Sequence, residues 1–381
     1  MRGLGSHSPV LYGLACAVGL SWTSAALVVG VRVPLPVVGS LTSFFGAIGV
    51  LLLAFIDPAT RRKALSSINT PGLLLLIVAL GTSLITPFDH EGRGLRFALG
   101  LLCFTLCSNA ILDNANRAPL ALLLAGCIAL SAIIIVTFLQ DPFSIRAVAG
   151  GEELATAANA QAMVLAIGAI LALGQPLRVV RWLVVPILVL GLLLTGSRGG
   201  LLSAVLGVCT YVLLSKQSRA GLLAILGLGL FLASLMALQD SIPGVARALS
   251  IREGLETGGG GRSDIYDSGL HLLGDYWLTG VGFTAFPDAI RPYLGQAWSP
   301  HSLYLEVTSE LGIIGAITFV MAIAAQIRRA YGSSGGAVYI ASLAAMCAGG
   351  LTLHFLGSPI LWLLLTVHPI RFTFIRSEVQ P

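Results

Sequence analysis

Short polar interruptions divide this chain into apolar runs of about 17 to 22 residues, the length at which an α-helix crosses the hydrocarbon layer of a membrane. Of its 381 residues, 56% are hydrophobic and only 10% are charged, and the mean hydropathy is +0.91. A single soluble core cannot hide so much apolar side chain. An outer-membrane barrel would instead show short alternating segments. The sequence therefore predicts an all-α polytopic membrane protein.

We predict about twelve transmembrane helices from these runs. They are expected near residues 10–30, 36–56, 71–86, 94–112, 119–139, 156–174, 180–195, 199–215, 220–238, 302–325, 336–354 and 358–370. The chain is thereby divided into nine spans within 1–238, one long polar loop at 239–301, and three spans with a tail within 302–381. The first run is too long for a signal-peptide core, so we expect a retained span.

The loop charges predict an orientation in which both termini are cytoplasmic, because every inside loop then carries Lys or Arg. The outside positions then carry arginines and no lysine, and arginine suits bidentate binding of phosphate or carboxylate. The outside arginines are Arg32, Arg93, Arg96, Arg146, Arg198, Arg247, Arg252, Arg262 and Arg291. The long loop lies on the same side, and we expect one or two short amphipathic helices in it, at the membrane surface.

The cysteines and the net charge exclude other classes of protein. All six cysteines (Cys16, Cys103, Cys107, Cys127, Cys209 and Cys347) fall in apolar segments, so a disulfide framework is not expected. A net charge of +5 is ordinary for a protein with positive inside loops, and no basic and aromatic pattern indicates nucleic-acid binding.

Two outside arginines stand at predicted helix starts. Arg198 lies in "LLLTGSRGGLLS", where glycines permit close approach and a helix N-terminus favours an anion; the alternative is an arginine reaching to lipid headgroups. Arg262 follows four glycines and precedes Ser263 and Asp264, either of which is a good cap for a helix starting near Ile265. The alternative for Arg262 is a solvated loop side chain.

The stretch "WSPHSLYLEVTSELGIIGAI" places a histidine at a third helix start. Ser299 is a good N-cap and Pro300 suits the first helical position, so His301 is expected in the first turn. The helix dipole would lower the imidazole pKa there and keep His301 neutral, the form that accepts a proton. Taken alone, the position therefore leaves two interpretations open, a general base and a histidine that only caps an interfacial helix.

The sequence predicts no catalytic role for six further ionisable side chains. Glu306 and Glu310 share one face of the predicted helix and are expected to orient His301 or to brace an outside arginine. His354, at the outer end of the eleventh span, is expected to be a packed interfacial residue, and the alternative is that it lines the cavity. For His271, as for Arg146 and Arg291, the sequence indicates no role.

Taken in order, "TGSRGG", "GRSDIYDSGLHLLGDYWLTGVGFTAF" and "SPHSLYLEVTSELGIIGAI" resemble the O-antigen ligase and O-antigen polymerase superfamily. The shared pattern is a small-residue SRG at a span end, an arginine opening a segment that closes in G-x-G-x-x-x-F, and a histidine leading a helix with E-L-G. The resemblance covers roughly Asn159 to Ile317, with Asn159 as a weaker match. Family members often have His-Asn where this chain has His301-Ser302, so the contacts with the acceptor are expected to differ.

The resemblance implies an inverting, metal-independent membrane glycosyltransferase of the GT-C type, without a cofactor. Such an enzyme moves a glycan from an undecaprenyl-pyrophosphate carrier to an acceptor hydroxyl, such as that of lipid A-core, on the periplasmic face of the bacterial inner membrane. It implies that Arg198 and Arg262 bind the pyrophosphate and that His301 is the catalytic base. Asn159, Ser302, Glu306 and Glu310 are expected to support them.

Three alternatives stay open at this point. A polymerase would use the same donor chemistry and differ only in its acceptor. A transporter of polysaccharide or carrier lipid predicts charges near mid-membrane and half-broken helices, whereas most charges here lie at span ends. A non-catalytic scaffold predicts that the arginines and the histidine can be replaced. The sequence gives no indication of the oligomeric state.

Overall fold

The computed structural model describes residues 9–27, 41–56, 58, 61–62, 66–88, 92–109, 118–142, 158–175, 178–215, 246–247, 262–333 and 335–369. In these residues the chain forms fourteen α-helices and no strand, which confirms the all-α class. The helices are α1 (Pro9–Leu27), α2 (Leu41–Ala54), α3 (Thr70–Ile85), α4 (Arg93–Asn109), α5 (Ala118–Gln140), α6 (Ala158–Leu173), α7 (Arg178–Leu194), α8 (Arg198–Leu214), α9 (Ser263–Asp275), α10 (Phe286–Ala289), α11 (Arg291–Leu294), α12 (Leu303–Ala330), α13 (Gly336–Gly350) and α14 (Pro359–Thr366).

The first eight predicted spans coincide with α1 to α8, and the tenth and eleventh with α12 and α13. The predicted ninth span, at 220–238, lies outside the described residues. Two stretches are both long and apolar enough to cross a membrane, Leu120–Gln140 and Leu303–Ala330, and the other apolar helices of the described part are shorter. Large apolar side chains such as Trp182 and Leu213 face outward. The described residues are therefore all-helical with two candidate membrane spans, and a membrane protein of twelve spans stays a prediction.

The predicted twelfth span, 358–370, is wrong in its length, because α14 has only eight residues. An α-helix of that length reaches about 12 Å, well short of the hydrocarbon thickness. Its residues from Ile360 to Thr366 are all buried, and side chains bind the carbonyls at its C-terminal end. Gln326 Nε2 donates to Leu364 O (3.1 Å), and Asn69 Nδ2 donates to Leu365 O (2.7 Å). The helix is thus an internal element, and side chains from neighbouring parts of the chain donate hydrogen bonds to carbonyls at its C-terminal end.

Small residues bring α8 and α13 into close contact. A Cβ on Gly207 would lie 2.9 Å from Ala345 Cβ, and one on Gly199 would lie 2.3 Å from Thr352 Oγ1. The start of α8 therefore lies beside the end of α13, so the two helices are antiparallel. The start of α12 reaches the same place, because Ser302 Oγ donates to Gly350 O (3.3 Å). Two helix starts and one helix end thus meet at one end of the bundle.

The membrane-length helix α12 is broken at Gly312, where φ is +65° and ψ is −168°. The segment Trp277–Gly282 fills the break. Val281 N donates to Ser309 O (2.8 Å), and Ile313, whose N–H would pair with Ser309 in a continuous helix, donates to Trp277 O (2.8 Å). Gly282 N likewise donates to Glu310 O (2.9 Å). The G-x-G motif and the E-L-G motif are therefore two halves of one interlocked backbone structure.

Gly312→Ala is expected to lower the free energy of unfolding by about 3 kcal/mol or more, since only glycine tolerates this φ and ψ without strain. A Cβ at this position would also lie 2.3 Å from Leu278 O, a backbone atom that cannot move aside. Thermal unfolding of the purified protein in detergent measures the effect. Gly274→Ala is the matched control, because nothing lies within 4 Å of its added Cβ. Equal melting temperatures for the two variants would contradict the assigned role of Gly312.

Candidate functional site

Arg198 is the first residue of α8, as the sequence predicted. Ser197 caps this helix, because its Oγ accepts from Gly200 N (3.2 Å). The same hydroxyl donates to Asn159 Oδ1 in α6 (2.9 Å), which places Asn159 against the start of α8. The Arg198 side chain is half-buried, and its Nε donates to Arg247 O (3.0 Å). The helix start, its cap and the guanidinium are therefore all held in place.

Arg262 lies at the start of α9, but it occupies the capping position itself. The predicted caps are wrong, because α9 begins at Ser263 and no side chain caps it. The physical reason is that Arg262 has helical dihedral angles (φ −92°, ψ −8°), so the helix begins before either predicted cap is in position. Its Nη1 donates to Thr352 O (3.0 Å), which ties the start of α9 to the end of α13.

His301 precedes α12 and does not lie in its first turn, so the predicted cap at Ser299 is wrong. Ser302 is the N-cap: it is extended and its Oγ accepts from Leu305 N (3.5 Å). Ser302 Oγ also donates to Gly350 O, a tertiary contact that Ser299 is not placed to make. His301 has φ +51°, in the left-handed region that histidine tolerates better than most residues. Ser302 therefore has a structural role at the site, in addition to any contact that it makes with the acceptor substrate.

His354 lies in the loop that follows α13, which ends at Gly350 rather than at the predicted residue 354. Its ring meets the His301 ring edge to face, with centroids 5.5 Å apart and planes at 85°. Burial, together with the positive charge that His301 and Arg262 can carry, lowers the pKa of His354 to about 4. The two rings thus form a contact that the sequence did not predict, and His354 is neutral at physiological pH.

All of these elements meet at residues 350–358, which we call the Gly350–Ser358 loop. Arg262 donates to Thr352 O, and Ser302 donates to Gly350 O. Gly199, next to Arg198, packs on Thr352 and Leu353. The sequence pattern does not predict this loop, because its residues are mostly apolar and extend the preceding run. The glycine pair at 349–350 and the Gly-Ser-Pro sequence at 357–359 were the available signals.

Each of the two buried glutamates of α12 accepts hydrogen bonds from two backbone N–H groups. Glu306 Oε2 accepts from Phe355 N (2.9 Å) and Leu356 N (2.8 Å), the two residues after His354. Glu310 Oε2 accepts from Thr284 N (2.8 Å), and its Oε1 accepts from Phe286 N (3.4 Å). These hydrogen bonds involve no arginine, and the two carboxylates instead brace the Gly350–Ser358 loop and the G-x-G segment.

Glu306→Ala is expected to lower the free energy of unfolding by about 2 to 5 kcal/mol, because two buried N–H groups lose their acceptor. Glu306→Gln keeps an acceptor oxygen at the same place and should recover most of that loss. Thermal unfolding in detergent measures both variants, with Asp267→Ala on the exposed face of α9 as the control. A melting temperature for Glu306→Ala equal to that of the control would show that the loop does not depend on this carboxylate.

The three residues for which the sequence indicated no role are exposed or lie outside the described residues. Arg291 pairs with Asp288 on the exposed surface (3.1 Å), and His271 is exposed on α9. Arg146 lies outside the described residues. Within the described part of the chain, no group of three or more His, Cys, Asp or Glu side chains is placed to hold a metal ion.

A model of a known protein family matches part of the chain. Residues 182–320 match the family model described as O-antigen ligase, and no curated protein matches the chain in sequence. The matched region contains Arg198, Arg262, His301 and both buried glutamates, while the Gly350–Ser358 loop follows it. The family match agrees with the order of motifs in the sequence and with their convergence at one end of the bundle. Residues 182–320 are therefore similar to the O-antigen ligase family, in agreement with the resemblance that the sequence motifs indicated.

Proposed function

We propose that the protein is an inverting glycosyltransferase that moves a glycan from an undecaprenyl-pyrophosphate carrier to an acceptor hydroxyl, lipid A-core or a similar glycan. The single observation that carries the proposal is that the neighbour of Arg198 (Gly199), the Arg262 side chain and the His301 ring all contact the Gly350–Ser358 loop. Two cations and a base at one end of a membrane bundle match the needs of this reaction. The site would face the periplasm, with both chain termini in the cytoplasm, as the loop charges predict.

The reaction requires charge stabilisation at the departing group. The acceptor oxygen bonds to the anomeric carbon while the bond from that carbon to the pyrophosphate oxygen breaks, so negative charge grows on the pyrophosphate. Arg198 and Arg262 would bind those oxygens. A guanidinium carries five N–H donors, so it can hold a backbone carbonyl and a phosphate oxygen at the same time. The bonds to Arg247 O and Thr352 O then orient the two side chains in advance.

The acceptor hydroxyl must lose a proton as it attacks. His301 would take that proton, and attack from the side opposite the pyrophosphate inverts the anomeric configuration. Its left-handed backbone conformation is typical of residues held at a functional position. No step in this scheme requires a metal ion, because the arginines supply the positive charge.

A transporter is a weaker candidate, although α12 has the broken helix that such a protein predicts. In transporters the free backbone groups at a helix break bind the substrate or its coupling ion. Here the carbonyls of Ser309 and Glu310 accept from Val281 and Gly282 of the chain itself. The break is therefore used for internal structure, which favours the transferase.

Deletion of the gene followed by electrophoresis of the cell glycans tests the proposal and separates its two forms. Loss of a ligase leaves polymer attached to the carrier, whereas loss of a polymerase leaves single-repeat products. We expect the ligase result. Single-repeat products would favour the polymerase, and a normal surface polysaccharide would contradict both.

A further inference from the structure

The contact between His301 and His354 is the feature of this site that neither the sequence motifs nor the family match explains. We propose that His354 is a positioning residue, whose ring holds the imidazole of His301 in the orientation needed to accept the acceptor's proton. The inference rests on the proposed transferase function. His354 itself need not touch either substrate.

The two rings pack in a geometry that restricts the orientation of His301. Their centroids lie 5.5 Å apart with planes at 85°, within the range in which edge-to-face ring pairs attract one another. The second side-chain torsion of histidine has broad energy wells, so the imidazole plane of an isolated His301 would vary. A ring packed edge to face against it restricts that rotation. His354 therefore fixes the direction in which the ring nitrogens of His301 point.

His354 is itself held in place by hydrogen bonds to its neighbours in the Gly350–Ser358 loop. The Glu306 carboxylate accepts from Phe355 N and Leu356 N, immediately after His354. Before it, Arg262 donates to Thr352 O. Because Glu306 belongs to the same helix that His301 precedes, α12 anchors both members of the ring pair. A shift of the loop relative to α12 would otherwise change the orientation of His301.

The charged groups around the His301–His354 pair determine the protonation of His354. The ionisable groups nearest His354 are His301 and Arg262, with the Glu306 carboxylate under the following residues. Arg198 lies beyond Gly199, which packs on the loop, and Arg96 is next to Phe97, which contacts Gly357. Burial, together with His301 and Arg262, lowers the pKa of His354 to about 4, so His354 stays neutral at physiological pH. It therefore neither competes for the proton nor repels the His301 imidazolium that forms during transfer.

Kinetics of the full-length protein with a defined lipid-linked glycan test this role. His354→Ala should lower kcat about 10- to 100-fold while KM for the donor changes by less than about twofold, because positioning acts on the transition state. His354→Phe keeps a ring at the same place without an ionisable group, and it should recover kcat to within about threefold of the wild type. His271→Ala is the control. A change in KM alone, or a Phe variant as slow as the Ala variant, would overturn the inference.

A second measurement does not depend on transferase activity. Labelling with diethyl pyrocarbonate, followed by peptide mass spectrometry, reports the reactivity of the His301 ring. We expect His301 to react at least about fivefold faster in His354→Ala, and to return to the wild-type rate in His354→Phe, because the packed ring shields it. Equal labelling in the wild type and the Ala variant would overturn the inference. An inactive wild type with the expected labelling would instead contradict the proposed function and leave the ring contact established.

Discussion

His301→Asn is expected to reduce kcat for glycan transfer by about 10²- to 10⁴-fold, the usual contribution of a general base. Asparagine tolerates the left-handed backbone at this position, where φ is +51°, but it cannot accept the acceptor's proton. The variant should therefore fold normally. The measurement is the initial rate of transfer by purified protein, together with its melting temperature.

His301→Ala provides a second test of the same residue, and its lower tolerance of a left-handed φ should also cost stability. If the base is lost in both variants, both should be equally slow despite different melting temperatures. His271→Ala, on the exposed face of α9, should retain the wild-type rate. Activity of His301→Asn within about threefold of the wild type would exclude His301 as the base.

Arg262→Ala is expected to lower kcat by about 10²- to 10³-fold, because it removes a cation from the departing pyrophosphate. Arg262→Lys should recover only part of this loss. A lysine keeps the charge, but it cannot hold Thr352 O and present a second pair of donors in the planar arrangement of a guanidinium. Initial rates at saturating donor and acceptor measure the effect.

The matched control is Arg291→Ala. Arg291 also lies in the segment between α8 and α12, but it is exposed and pairs with Asp288. Its loss should leave the rate unchanged. If Arg262→Ala and Arg291→Ala behaved alike, the positive charge of the segment as a whole would matter and the position of Arg262 would not.

Local sequence was sufficient where a helix start depends on neighbouring residues. Arg198 opens α8 because Ser197 caps it and the following glycines permit close packing, and all of these signals lie within "TGSRGG". The start of α12 was misplaced because Ser299 and Ser302 are both good caps and a proline follows the first. The contact from Ser302 to Gly350 decides between them, and such a distant contact cannot be read from the local pattern.

Long-range contacts also explain the features that the local sequence pattern does not predict. Gly312 was visible as part of an E-L-G motif, but its left-handed conformation depends on the segment Trp277–Gly282. His354 was placed at the end of a span because its neighbours are apolar. Those neighbours are apolar because the loop is buried, and the loop can be buried because Glu306 satisfies two of its N–H groups. A buried loop and a membrane helix therefore have similar sequences here.

Transfer by the purified full-length protein in liposomes tests the central claim most directly. The donor is a defined undecaprenyl-pyrophosphate glycan, and lipid A-core and a carrier-linked glycan are offered as separate acceptors, with and without a chelator. We expect a product of inverted anomeric configuration on lipid A-core, at the same rate in both conditions, and at least about 100-fold slower formation of it by His301→Asn. Loss of the product on chelation, or movement of the donor across the bilayer without any transfer, would contradict the claim.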